Sequence, residues 1–223
     1  MVRFQARAPA RACFPKRKRA SILDQQLADI WAGIERDGPW QDLPIDPERL
    51  WEDGLGDSSE RFWSQEARRR TFMAFYSWAV PSKEAIAAIS AFVGGRRLLE
   101  VCAGSGLWAM LISSGGTDVI ATDGRLAQHT DYFPIETREA EDAVRAHQEC
   151  EALLFCWPPF KDGLAFRALR AFEGDRVVYI ADQRFTADRQ FHDLLDQEWV
   201  LHDQLAIPAW PGFDDYAYLY SRK

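Results

Sequence analysis

The densest group of residues able to do chemistry is Glu100-Val101-Cys102-Ala103-Gly104-Ser105-Gly106, which sets an acid, a thiol and two glycines between apolar runs. Leu98 to Cys102 has the length and apolarity of a buried strand, and Leu107-Trp108-Ala109 opens a helical pattern. A second apolar run, Val119-Ile120-Ala121-Thr122, closes on Asp123, 23 residues after Glu100. A strand, glycine turn, helix, strand and acid in this order form the nucleoside-binding half of a doubly wound α/β fold. The glycines let the main chain approach a ligand, and the acid can accept hydrogen bonds from ribose hydroxyls.

Glu-Val-Cys-Ala-Gly-Ser-Gly at 100–106 resembles the first motif of class I S-adenosylmethionine-dependent methyltransferases, written E/D-x-G-x-G-x-G. Gly104 and Gly106 match, and Cys102 stands where the first glycine is usual. The resemblance implies that Glu100, Cys102, Ala103, Gly104, Ser105 and Gly106 line the methionine and ribose portions of S-adenosylmethionine. It implies further that Asp123 binds the ribose diol and that Asp142 contacts the adenine amino group. Such enzymes need little covalent chemistry, because the sulfonium already activates the methyl group. The protein aligns a nucleophile with it and accepts a proton.

Trp157-Pro158-Pro159-Phe160, after the apolar run Ala152–Cys156, resembles the Asn/Asp-Pro-Pro-Tyr/Phe motif of enzymes that methylate amino groups. Trp157 occupies the Asn/Asp position, and an indole N–H donates but cannot accept. The amine-selecting part is therefore missing, while Pro158, Pro159 and Phe160 carry over as pocket walls. Trp157 is a candidate for both cofactor contact and the reacting end. Tyr76 and Trp78 precede the glycine turn in a segment that, by the resemblance, passes over the methionine end of the cofactor. The Tyr76 hydroxyl is thus a catalytic candidate, and a core aromatic is the alternative. His129, following the second strand, is the best-placed general base among the histidines, and a surface loop histidine is its alternative. Asp182 and the stretch Trp210-Pro211-Gly212-Phe213-Asp214-Asp215 offer acids and aromatic walls, with Trp210, Phe213 and Asp215 as substrate contacts. A Pro-Gly surface turn explains that stretch equally well. Neither the four histidines nor the four cysteines have metal-ligand spacing.

Stepping along the chain, Ser21 can cap a helix with Ile22, Leu23, Leu27, Ile30, Trp31 and Ile34 at helical spacing, ended by Gly38-Pro39. A polar loop runs from Trp40 to Ser59, then a second helix is predicted over Arg61–Val80 and a third over Lys83–Val93, capped by Ser82. Strands are predicted at 97–102, 118–122, 134–137, 152–156, 176–181, 199–207 and 216–221, with helices at 107–114, 140–150, 163–172 and 187–197 between them. Alternating βα units with a closing hairpin predict a doubly wound, mostly parallel seven-stranded sheet, its last strand antiparallel as in the methyltransferase family. The organisation expected is a basic disordered arm at 1–20, a helical cap at 21–93 and the Rossmann-like cofactor-binding domain at 94–223.

Hydrophobic residues make up 47% of the 223, enough for one sizeable core. Net charge is -7, and seven of the 27 Lys and Arg lie in the first 20 residues, which hold no acid. The body is therefore acidic, which argues against a general nucleic-acid binder, while the arm could supply nucleic-acid affinity or be a solvated tail. No apolar run reaches the ~20 residues of a membrane span and no signal core is present, so the expectation is a cytoplasmic protein with free thiols. The leading reading is methyl transfer to an O or N of a small or medium organic molecule. Methylation of nucleic acid or a protein side chain, and an inactive cofactor-binding partner subunit, stay open. An NAD-dependent dehydrogenase has least support, since no acid–base pair for hydride chemistry is recognisable.

Overall fold

A computed structural model describes the main chain of residues 16–39, 57–124 and 131–223, and side chains from Asp24 to Pro39 and from Trp63 onward within those spans. Cys13, most of the polar loop after Trp40, and His129 lie outside the described residues. The elements are α1 (Lys16–Asp37), α2 (Asp57–Phe75), α3 (Lys83–Val93), β1 (Leu98–Val101), α4 (Leu107–Ser114), β2 (Val119–Asp123), β3 (Ile135–Thr137), α5 (Ala140–Ala146), β4 (Ala152–Cys156), α6 (Leu164–Ala171), β5 (Arg176–Ala181), α7 (Arg189–Glu198), β6 (Trp199–Ala206) and β7 (Tyr216–Arg222). Contacts divide the chain into two compact units, Met1–Arg36 and Asp37–Lys223. The first contains most of α1, where Gln25 Nε2 donates to Asp29 Oδ1 one turn on, at 2.8 Å. The second contains α2, α3 and the whole sheet.

The seven strands lie in the order β3-β2-β1-β4-β5-β7-β6. β1 to β5 pair in parallel, and β7 is antiparallel to both β5 and β6. The chain enters the sheet at its middle, walks outward through β2 and β3, then returns to β4 on the other side of β1. A ligand crevice belongs at that reversal, beyond the carboxyl ends of β1 and β4. Because β6 runs with β5, the 207–215 loop joining β6 to β7 emerges at this same edge.

Both faces of the sheet are covered, which explains why β1 and β4 are continuous apolar runs without alternation. Leu99, Val101, Leu153, Phe155, Val177 and Tyr179 form one core face with Ala143, Ala168, Phe191 and Leu195 from α5, α6 and α7. Residues one position away, Leu98, Leu154, Val178 and Ile180, are fully buried on the opposite face, where α3 and α4 pack. Each such side chain contributes roughly 1.5–3 kcal/mol when buried, so the strand ends that carry the site are held by a dense core on two sides.

Local signals set the element limits. The Ser82 hydroxyl accepts from the Ala85 amide at 3.1 Å, and Gly94, at φ +61°, ends α3 with its amide on the Ser90 carbonyl. Asp188 caps α7 in the same way through the Phe191 amide at 2.9 Å. Three expectations are corrected. The second helix begins at Asp57 and not Arg61, taking in residues 57–59 expected in the loop, and it stops at Phe75 and not Val80, because Pro81 disfavours helix in the residue before it and Ala79 and Val80 are pulled into the core, 0% and 2% exposed. The helix after the third strand ends at Ala146, where His147 leaves helical geometry at ψ 53°. Lys16 to Ala20, expected to belong to the disordered arm, are part of α1. The other strands and helices begin and end within two residues of the pattern in the sequence.

Candidate functional site

The turn after β1 runs through three left-handed residues, Cys102 (φ +57°), Gly104 (φ +55°) and Gly106 (φ +71°). Glycine adopts this conformation without penalty, whereas a side chain costs roughly 1–2 kcal/mol there. Cys102 carries that cost at a position where a glycine would carry none. A Cβ on Gly106 would stand 2.9 Å from the Phe133 Cβ, so this glycine is required by packing as well as by its torsion. A Cβ on Gly104 would meet nothing within 4 Å. That residue instead faces open space, with its amide donating to Asp123 Oδ2 at 2.9 Å. The acid at the end of β2 and the glycine turn are therefore one construction.

A second layer clasps the turn. The Ser105 hydroxyl donates to the Tyr76 carbonyl, and the Tyr132 amide donates to the Ser105 carbonyl at 2.9 Å. The Tyr132 hydroxyl donates to the Phe75 carbonyl at 3.0 Å, and its ring stacks on Tyr76 with centroids 6.2 Å apart. Below the turn, Glu100 is fully buried and neither carboxylate oxygen has a hydrogen-bond partner among the described residues. Burial pushes its pKa up to about 8, Asp123 adding to the effect and the nearby Ala109 amide only partly opposing it. Burial, with Asp123 and Glu139 close by, likewise pushes the Cys102 thiol up to about 12, so it is no nucleophile near neutral pH.

Beyond the β2 tip lies a cleft of about 270 Å³ lined by Glu139, Ala140, Glu141, Asp142, Leu164 and Arg167. Glu139 joins it to the turn, since its carboxylate stands 2.5 Å from where a Gly124 Cβ would be. Asp142 is thus one wall of a recess that starts beside Asp123. Acceptors at Asp123, open space over Gly104 and this recess together suit a ligand with vicinal hydroxyls and a flat terminal group.

The other half of the edge is built from side chains. Trp157, just past β4, is held left-handed at φ +48°, a strained setting for a bulky residue. Its amide donates to the Ile180 carbonyl at 2.9 Å and its indole N–H donates to Asp215 Oδ1 at 2.8 Å. Trp78 stacks on it, centroids 5.5 Å apart, and Phe213 leans against it at 5.7 Å. The Arg69 guanidinium lies 4.3 Å over the Phe213 ring and 6.0 Å from Trp78. Asp215 is 2% exposed, and burial pushes its pKa up to about 7 despite the indole bond, with neighbouring Asp182 contributing. Asp182 is also 2% exposed but goes the other way. Burial works against its charge, yet bonds from the Arg184 side chain and the Asp214 and Arg184 amides hold it below the usual carboxylate range.

The Tyr76 hydroxyl donates to Asp37 Oδ2 at 2.7 Å, while its carbonyl meets Ser105. Pro158 pins the turn after Trp157, its carbonyl accepting from the Ala187 amide at 3.2 Å, and Pro159 follows it. Phe160 is half exposed with the Lys161 ammonium 4.7 Å from its ring. Trp210 is buried edge-on against Phe72, 5.7 Å between centroids, and forms the floor behind the aromatic group. Sequence reasoning passed over Arg69, Arg184 and Arg167. Arg184 had a signal in its spacing two residues after Asp182, whereas nothing local ties Arg69 on α2 to Phe213.

No protein-family model and no curated protein matches the sequence. Solved structures do. A TehB-like SAM-dependent methyltransferase from Corynebacterium glutamicum is 16% identical, with a TM-score of 0.49 over 74% of this chain and 100% of that one. The 1,6-didemethyltoxoflavin-N1-methyltransferase of Burkholderia thailandensis, with bound 1,6-didemethyltoxoflavin and S-adenosylhomocysteine, is 13% identical, with a TM-score of 0.48 over 97% of this chain and 93% of that one. A protein from Streptococcus mutans described as a SAM-dependent methyltransferase is 11% identical, with a TM-score of 0.46 over 64% of this chain and 49% of that one, so the chain spans about half its length. Among the described residues no helix is long and apolar enough to cross a membrane.

Proposed function

We propose that this chain transfers a methyl group from S-adenosylmethionine to an oxygen or nitrogen of a small or medium organic molecule. The observation that carries the proposal is the union of the left-handed 102–106 turn with Asp123 through the Gly104 amide, at the reversal point of a β3-β2-β1-β4-β5-β7-β6 sheet. A dinucleotide reading uses the same crevice, but Glu100, buried under the turn, puts a carboxyl where such strands seldom carry one.

In this proposal the main chain of Ala103 to Gly106 holds the methionine and ribose portions, over Cys102 and Glu100. Asp123 exchanges its bond to the Gly104 amide for the ribose hydroxyls, and the recess beside Asp142 receives the adenine. The bound cofactor supplies a methyl group already activated by its sulfonium. What the chain adds is position: Tyr76, through its carbonyl on Ser105, fixes the turn from above, and Trp157 and Phe213 orient a flat acceptor, Trp78 covering the Trp157 face until the acceptor enters. Pro158 and Pro159 keep Trp157 at the strand tip. His129, outside the described residues, has no part assigned to it.

Calorimetry on the full chain tests this directly. S-adenosylmethionine and S-adenosylhomocysteine should bind with comparable affinity and NAD should not. Binding of NAD alone would overturn the proposal.

A further inference from the structure

Three carboxylates gather at the β5 and β7 end of the crevice, and they are not equivalent. Asp182 accepts from the Arg184 amide, from Arg184 Nε and Nη2, and from the Asp214 amide, which occupies both of its oxygens. Asp214 is on the surface and pairs with Arg184 Nη2 at 2.9 Å. Asp215 alone is left incomplete. Its Oδ1 takes the Trp157 indole N–H, while Oδ2 is buried with no hydrogen-bond partner among the described residues. An unsatisfied buried acceptor is costly to a fold, and one that persists beside a strained tryptophan marks a place arranged for something else.

We propose that Asp215 selects the acceptor molecule: its Oδ2 accepts a hydrogen bond from an edge N–H of a neutral, flat aromatic or heteroaromatic ring stacked on Trp157. That this ring is the methyl acceptor rests on the function proposed above; the binding itself does not. The donor requirement follows from chemistry. Above the value of about 7 to which burial pushes its pKa, the Asp215 carboxyl is ionised and only accepts, and the Trp157 indole N–H is already committed to Oδ1. The preference for a neutral ring follows from the surroundings. Asp182 and Asp214 already neutralise Arg184, and Arg69, whose charge also reaches Asp215, is paired with Glu66, so an anionic ring would face Asp215 without an unpaired cation beside it. The flat shape follows from the Trp157 face, on which the Trp78 ring already stacks at 5.5 Å in the place a ligand ring would take, with Phe213 at 5.7 Å as the side wall. Trp78 is 51% exposed and covers the Trp157 face; it is the ring that a ligand displaces.

Equilibrium dialysis of the full chain at about pH 8.5, where Asp215 is ionised, against two coloured probes tests the proposal. 4-Nitroaniline carries an edge N–H pair, and N,N-dimethyl-4-nitroaniline is similarly flat but has none. Wild type should prefer the first by about tenfold, the value of one hydrogen bond to a charged acceptor. D215N keeps the size and the bond to Trp157 but turns a donor toward the ring, and its preference should fall below about twofold on the same scale. W78A, which leaves the carboxylate in place, should bind both probes more tightly with the preference intact; thermal melting confirms that both variants fold. Equal binding of the two probes by wild type, no binding of either, or a preference that survives in D215N overturns the proposal. A parallel titration with S-adenosylhomocysteine separates the two ideas. If wild type keeps its probe preference but ignores that cofactor, the methyltransferase reading fails and this one stands.

Discussion

The two halves of the carboxyl edge solve the problem of holding a ligand by different means. Around β1 and β2 the work is done by main chain: three left-handed residues, an amide on Asp123, and carbonyls of Phe75, Tyr76 and Ser105. Around β4, β5 and the 207–215 loop it is done by side chains: stacked tryptophans, Phe213 under a guanidinium, and paired acids. A main-chain cradle fits one ligand and tolerates little change, since its geometry is the fold itself. A side-chain wall can be exchanged residue by residue while the fold stays intact. The difference is what would be needed in a protein that keeps one cofactor and adapts its acceptor. Each half also leaves one buried carboxyl short of hydrogen-bond partners among the described residues, Glu100 below the turn and Asp215 beside Trp157.

Those two acids offer the sharpest break between the halves. Glu100 has its folded pKa raised from 4.5 to about 8, so it folds as the neutral acid at low pH and must ionise while buried at high pH. The folded state binds the extra proton across this window, and wild-type stability therefore falls as pH rises through it. E100Q removes the titration, and its melting temperature relative to wild type should climb across the window by the equivalent of about 3–5 kcal/mol. An unchanged difference would mean that Glu100 is solvated. Asp215 acts in the same direction over a lower window, from 3.8 to about 7, so E100Q should leave that part of the curve in place.

The glycines separate packing from ligand. G106A forces a Cβ to within 2.9 Å of Phe133 at φ +71°, and should destabilise the protein by roughly 2–4 kcal/mol in chemical denaturation. G104A, at φ +55° with open space around it, should cost only about 1–2 kcal/mol but abolish calorimetric binding of S-adenosylhomocysteine. If both variants lose stability equally, the space over Gly104 is not a ligand site.

The same division governs what could be read from the sequence. The turn half was legible because its parts are close in the chain: strand, glycines and helix fall within a dozen residues, and Asp123 follows at the distance one βα unit requires. Buried parallel strands announce themselves as apolar runs, which is why β4 and β5 were placed to the residue. The Trp157–Asp215 bond joins positions 58 apart, and Arg69 reaches Phe213 in the 207–215 loop from α2, so no local pattern encodes either. The segment after Phe75 misled because Trp78 and Val80 continue a helical apolar pattern, whereas Pro81 and the pull of the core decide its course. Glu100 and Cys102 were named for their types, but that one is starved of partners and the other strained could be learned only from the assembled turn.

Asp123 tests the turn half more finely. D123A removes the acceptor for the Gly104 amide and for the ribose hydroxyls proposed to replace it. Cofactor affinity should fall by roughly 1–3 kcal/mol in calorimetry, with the melting temperature of the free protein changing less. A loss of fold without a loss of affinity per folded molecule would reduce Asp123 to a strut for the turn.

The smallest effect is expected at Arg69, and it concerns the side-chain half alone. Its guanidinium sits 4.3 Å over the Phe213 ring and pairs with Glu66 at 3.4 Å. Glu66 keeps a second partner in Arg70 at 2.9 Å, so removing Arg69 strands no charge. R69Q should therefore cost the cation–ring contact and a weak attraction to Asp215, together about 0.5–1 kcal/mol, seen as a slightly lower melting temperature. The informative readout is binding, because Phe213 leans on Trp157 and carries this cation over its ring. Probe dialysis should show weakened affinity for both flat molecules by a similar factor, since the wall loosens while Asp215 stays. Cofactor binding should not change at all, because Arg69 has no contact with the glycine turn among the described residues. A variant that weakened the cofactor and the probes together would show that the two halves move as one.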